Sequence, residues 1–172
     1  MKTPPASRPT AADVRLVALS RWVAGTVAGH GDISPASADA SFRRYFRVRV
    51  KDGASYIVMD APPEKEDSRP YIEVARRLRA LGLNVPEILA EDMAQGFLLI
   101  TDLGSQSYLE ALNPDSVERL YGDALGALVV LQAGIYTDSS FLPPYDAALL
   151  HREMELFRQW YLGRHLGLTL TS

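Results

Sequence analysis

The chain has 172 residues, 47% of them hydrophobic and 23% charged, a balance that excludes wholesale disorder and supplies apolar material for one core or two small ones. Eighteen Lys and Arg against 21 Asp and Glu leave a formal charge of -3, so no global positive field points to a nucleic-acid partner. With no cysteine, disulfides, thiolate metal sites and thiol nucleophiles are excluded together.

The proline-rich opening, Met1 to Pro9, lacks the apolar core of a signal peptide. No later apolar run reaches the roughly 18 residues of a membrane span, so the expected location is the cytoplasm, away from any membrane. Thr10 and Asp13 read as a capping pair, and Leu16, Leu19, Val23 and Val27 recur at helical spacing until Gly29 and Gly31 end the pattern. His30-Gly31-Asp32 is expected to be a loop. From Phe42 the period becomes two: Phe46, Val48 and Val50 alternate with Arg47, Arg49 and Lys51. Asp52-Gly53 then turns the chain into Tyr56-Ile57-Val58-Met59, the second arm of an antiparallel hairpin.

Ser68 and Pro70 open a second amphipathic helix carrying Ile72, Ala75, Leu78 and Leu81, with Gly82 just past its end. Strands follow at Glu87–Ala90 and Phe97–Ile100, joined by a turn around Gln95-Gly96. Beyond Thr101-Asp102-Leu103-Gly104 the pattern is helical. Asn113-Pro114 precedes an apolar stripe of Val117, Leu120, Tyr121, Ala124, Leu128 and Leu131, and after Leu142-Pro143-Pro144-Tyr145 another helix runs from about Asp146 to His165. Strands first and helices afterwards make an α+β layout, with a boundary expected between residues 1–103 and 104–172.

Four segments occur in fixed order: Asp39-Ala40-Ser41-Phe42-Arg43-Arg44-Tyr45-Phe46-Arg47-Val48, Tyr56 to Pro63, Leu83-Asn84-Val85-Pro86-Glu87-Ile88-Leu89, and Phe97 to Gly104. As a series they resemble the aminoglycoside phosphotransferase superfamily, and within it the bacterial anomeric kinases that phosphorylate N-acetylmuramate and N-acetylglucosamine at the C1 hydroxyl in cell-wall recycling. The resemblance implies a protein-kinase-like fold: a small lobe of antiparallel sheet plus helix over 1–103, then the start of a helical lobe over 104–172. It implies ATP and Mg²⁺ as cofactors and a small amino sugar as acceptor.

The same resemblance places a phosphate loop at Asp39-Ala40-Ser41, without the usual glycines. There the Ser41 hydroxyl, the backbone at Phe42 and the guanidinium of Arg43 or Arg44 would meet the anion. Each arginine reads equally well as a solvent-facing strand residue. Met59 falls where such kinases carry a phosphate-pairing lysine, so Glu73 on the following helix is either that lysine's orphaned partner or a surface carboxylate, and a strand arginine would replace the cation. Thr101, Asp102 and Leu103 correspond to the extended hinge whose backbone holds adenine. The expected cofactor-binding residues are therefore Ser41, Phe42, Arg43, Arg44, Glu73, Thr101, Asp102 and Leu103.

No catalytic residue and no metal ligand is expected within the chain, because no His-x-Asp-x-x-x-x-Asn loop follows Leu131. The one His-x-Asp, at His30, has Ser37 where the Asn would be. His151 and His165 share a helix with Arg152, Glu153, Arg158 and Arg164, a pattern of solvated charge. The chain is thus expected to stop before the catalytic loop and to transfer no phosphate alone. A second reading is a non-catalytic nucleotide-binding or regulatory module. A third, a nucleic-acid binder built on Arg43, Arg44, Arg47 and Arg49, lacks interleaved aromatics.

Overall fold

Residues 11–38, 41–134 and 144–169 are described by the computed structural model. The expected Thr10 cap, Asp39-Ala40 and Leu142-Pro143 lie outside them. Arg15, Leu19, Val23 and Val27 recur every four residues, and this stripe becomes the inner face of helix α1, Ala11–Thr26, and of the turn after it. Leu16, off the stripe, is exposed.

Among the described residues five strands follow the order β1-β2-β3-β5-β4, all antiparallel. They are β1 (His30–Ala38), β2 (Arg44–Val50), β3 (Ser55–Asp60), β4 (Ile88–Asp92) and β5 (Phe97–Thr101). The β2–β3 hairpin turns where sequence placed it: Gly53 adopts φ +95°, and the Asp52 carboxylate accepts the Ala54 N–H at 3.0 Å.

His30-Gly31-Asp32 is not a loop but the start of β1. Glycine, serine and proline hide this strand from a propensity reading. It survives because, among the described residues, it is an edge strand that pairs with β2 alone and breaks register between His30 and Ile33 and again between Pro35 and Ser37, where a missing ladder donor is tolerated.

Strand alternation sends side chains to two cores. On one face Phe46, Val48, Val58, Phe97 and Leu99 pack against Leu19 and Val23 of α1. On the other, Met59, Leu98 and Ile100 pack against Ile72 of helix α2, Arg69–Ala80. Helix α2 starts after Ser68 with Pro70 in its first turn, and ends with Gly82 at φ +80° donating its N–H to Arg79 O at 2.9 Å. Gly96 closes the β4–β5 turn at φ +74°, and a Cβ there would lie 1.9 Å from the Ala61 carbonyl oxygen, so no other residue fits.

After β5 a connector leads to a one-turn helix, α3 (Tyr108–Ala111), held by a reciprocal capping box between Ser107 and Glu110. The Asn113 side chain then accepts the N–H groups of Asp115 and Ser116 ahead of α4, Val117–Gly134. Of the predicted apolar stripe on α4 only Leu120 is buried, while Tyr121 and Leu128 are exposed.

The unit containing the sheet ends at Gly134, and the residues after it form a second unit. Asp146 caps α5, Ala147–Leu156, by accepting the Leu149 N–H at 2.9 Å. The chain continues as a π-helix over Phe157–His165 in place of the single α-helix expected, with Phe157, Tyr161 and His165 stacked at 5.2 and 5.4 Å between successive ring centroids. His151 and His165 are exposed, and Glu155 pairs with Arg158 at 2.7 Å.

Candidate functional site

The segment entering β2 docks on the turn between β3 and α2. Pro62-Pro63 forces that turn, in which the Pro62 carbonyl accepts the N–H groups of Lys65 and Glu66 at 2.8 and 2.9 Å. The turn aims Glu66 at the incoming chain. The Phe42 N–H donates to Glu66 Oε1 at 3.1 Å, and Arg43 Nη2 lies 3.4 Å from Glu66 Oε2. The Lys65 ammonium sits 4.9 Å from the Phe42 ring centroid, and the Arg43 guanidinium 5.8 Å from that of Tyr71. Ser41 Oγ accepts the Arg43 N–H at 3.1 Å, which folds the segment back on itself. Burial pushes the Tyr71 phenol up, Tyr45 adds to this and Arg43 opposes it. A backbone N–H and a guanidinium thus converge on one carboxylate, a donor set suited to anions in general.

Arg44 points the other way. Alternation puts it on the α1 face, where it holds the fully buried Asp60 carboxylate from one side while Arg15 of α1 holds it from the other. Arg15 also donates to the Gln95 carbonyl at 2.7 Å. Met59 is buried on the α2 face among Leu98, Ile100 and Ile72, so Arg44 and Met59 lie on opposite sides of the sheet. Glu73 sits half-exposed on α2, paired with Arg77 one turn on at 2.8 Å.

At the far end of β5 the Thr101 N–H donates to the Glu87 carbonyl at 3.1 Å and the Thr101 hydroxyl accepts the Glu87 N–H at 3.0 Å. Asp102, next along, is almost fully enclosed. Arg47 Nε donates to its Oδ2 at 2.6 Å and Arg47 Nη2 to its Oδ1 at 3.1 Å, the Ser55 hydroxyl donates to Oδ2 at 2.8 Å, and the Gly104 N–H to Oδ1 at 2.9 Å. These donors, the Arg47 guanidinium foremost, hold the carboxyl down at a pKa of about 2. Leu103 is exposed, and none of the hydrogen bonds among the described residues involves it.

A sheet covered by one helix on each face, with an anion-type donor set at one edge of β2 and β3 and an extended connector leaving β5, matches known proteins in sequence as well. The model of the phosphotransferase enzyme family matches residues 32–167. The chain belongs to that family. The chain is 50% identical over 143 residues to an N-acetylmuramate/N-acetylglucosamine kinase of Pseudomonas aeruginosa, covering 81% of the chain and 40% of the relative. It is 44% identical over 171 residues to the kinase of the same name from Pseudomonas putida, covering 93% and 50%. A third, from Neisseria meningitidis, is 38% identical over 144 residues, covering 81% and 42%. The chain spans half or less of the length of these curated relatives. Its five-stranded antiparallel sheet with flanking helices is the kinase-like small lobe of the phosphotransferase family.

Of the eight expected cofactor residues, the phosphotransferase fold brings Ser41, Phe42 and Arg43 together at one end and keeps Thr101, Asp102 and Leu103 consecutive at the other, while Arg44 and Glu73 are committed to partners elsewhere. Sequence reasoning missed four residues that organise these places: Arg15, Asp60, Glu66 and Arg47. One signal was readable. Asp60 shares strand parity with Val58, so it had to enter the α1 core, and a carboxylate there demands a cation from the stripe that carries Leu19, which is Arg15. Among the described residues no group of three or more His, Asp or Glu side chains comes together as a metal site, and no helix is long and apolar enough to cross a membrane.

Proposed function

We propose that this chain is the ATP-binding part of an ATP-dependent sugar kinase that phosphorylates the anomeric hydroxyl of N-acetylmuramate or N-acetylglucosamine in cell-wall recycling. Residues 1–103 form its small lobe and 104–172 begin its helical lobe. The observation that carries this reading is the pairing of 50% identity to a kinase of those two sugars with a built anion donor set at Phe42 and Arg43.

The residues fit a nucleotide. A carboxylate already rests on the Phe42 N–H and the Arg43 guanidinium, and a phosphate oxygen presents the same charge and acceptor geometry to them. At the other end Leu103 offers a backbone N–H and C=O that no hydrogen bond uses among the described residues, the groups an adenine edge pairs with. The residues do not fit Mg²⁺, which has no acidic cluster to hold it among the described residues, so the role assigned to this chain is to bind and orient the nucleotide.

The test is a chimera that joins this chain to the remaining length of the Pseudomonas putida relative. The reading expects ADP release that depends on N-acetylmuramate, with none from the 172-residue chain alone. Turnover by the short chain would contradict it. A chimera that binds ATP yet releases no ADP would favour a non-catalytic nucleotide-binding module.

A further inference from the structure

Arg47 does more than pair a charge. Its planar guanidinium spans three acceptors, both Asp102 oxygens and the Gly104 carbonyl at 3.2 Å, so one side chain from β2 grips the connector on either side of Leu103. Beyond Thr101 the β-ladder has ended. The hydrogen bonds of Asp102 and Gly104 run to Arg47, to Ser55 and to each other. Gly104 at φ +90° permits the bend that presents its carbonyl to Arg47. The direction of the Leu103 N–H and C=O is therefore set by two neighbours that Arg47 holds, and the four donors on the Asp102 carboxylate leave that carboxylate no capacity for a ligand. Lysine, a point charge without a fork, cannot span the three acceptors at once.

We infer that Arg47 is the positioning residue for the nucleobase: by clamping Asp102 and Gly104 it fixes the Leu103 backbone in the orientation that pairs with adenine. This rests on the nucleotide-binding reading above. It adds to the expectation that the backbone of this connector holds adenine, and gives the Asp102 carboxylate the role of a handle.

Calorimetric titration of the 172-residue chain with adenosine, ATP and inorganic tripolyphosphate tests it. Arg47→Ala is expected to lower adenosine and ATP affinity about tenfold each, while leaving tripolyphosphate within about twofold. Arg47→Lys is expected to recover part of the adenosine loss. Ser55→Ala, which removes one hydroxyl bond and leaves the ion pair, is expected to shift adenosine affinity in the same direction by about threefold, and serves if Arg47→Ala does not fold. Equal losses for all three ligands would assign Arg47 to folding alone and overturn the inference, as would unchanged adenosine affinity or a loss confined to tripolyphosphate. A wild-type chain that binds none of the three would overturn the nucleotide reading itself.

Discussion

Asp102 shows how one carboxylate can be readable in sequence while its partner is not. Its place in Thr101-Asp102-Leu103-Gly104 was legible as the end of a strand and the start of a connector, but its partner Arg47 lies 55 positions away, and only the β2–β3–β5 register brings the two together. The depressed pKa makes a pH prediction. A carboxyl whose folded value lies near 2, against roughly 3.9 when unfolded, contributes stability in full above about pH 4 and loses it as pH falls through 2. Carboxyl NMR titration should place the Asp102 midpoint near 2, and Arg47→Ala should raise it toward the ordinary carboxylate range. An Asp102 midpoint unchanged by the substitution would show that the guanidinium is not its main partner. Glu66 invites the complementary experiment, because it occupies the donors proposed for phosphate. Glu66→Gln should tighten ATP by about threefold or more and leave adenosine unchanged. Weaker ATP binding in calorimetry would mean that Glu66 orders the segment and does not compete for it.

At the scale of elements, the β2–β3 hairpin, β4, β5, α2 and α4 were legible because each carries its own periodicity and its own turn or helix-end chemistry: Asp52-Gly53, Pro70, Gly82, Gly96, Asn113. The elements that were not legible depend on something outside their own residues. β1 is a strand only because β2 offers an edge, and the one-turn α3 is too short for periodicity to register. The turn of α-helix into π-helix at Phe157 has no local sequence cause that we can name. Asp60 joins three elements, α1, β2 and β3, through two arginines, so removing it strands two guanidiniums in a partly buried place. Asp60→Ala should cost on the order of 3 kcal/mol in urea unfolding. A loss below about 0.5 kcal/mol would mean that α1 is held by its apolar stripe alone.

For the molecule as a whole, the α+β layout followed from strands that precede helices, and the family from four ordered segments, each short, whose order carries the information. The division of labour between the two sheet faces was not legible, because parity says which residues share a face but not which helix covers it. Two faces with two kinds of ion pair result. On the α1 face the arginines close a core around Asp60. On the α2 face Arg43 and Arg47 stand at the two places proposed for phosphate and base, with Ile57, directly across the ladder from Arg47, and Ile100 on the apolar floor between β2 and β4. The central claim is that this second face binds a nucleotide.

Amide NMR titration of the 172-residue chain with ATP tests that claim most directly. The account predicts shifts at Phe42, Arg43, Ile57 and Thr101 to Gly104, with Arg15, Leu19, Val23 and Asp60 unmoved. Shifts confined to the α1 face, or none at millimolar ATP, would contradict it.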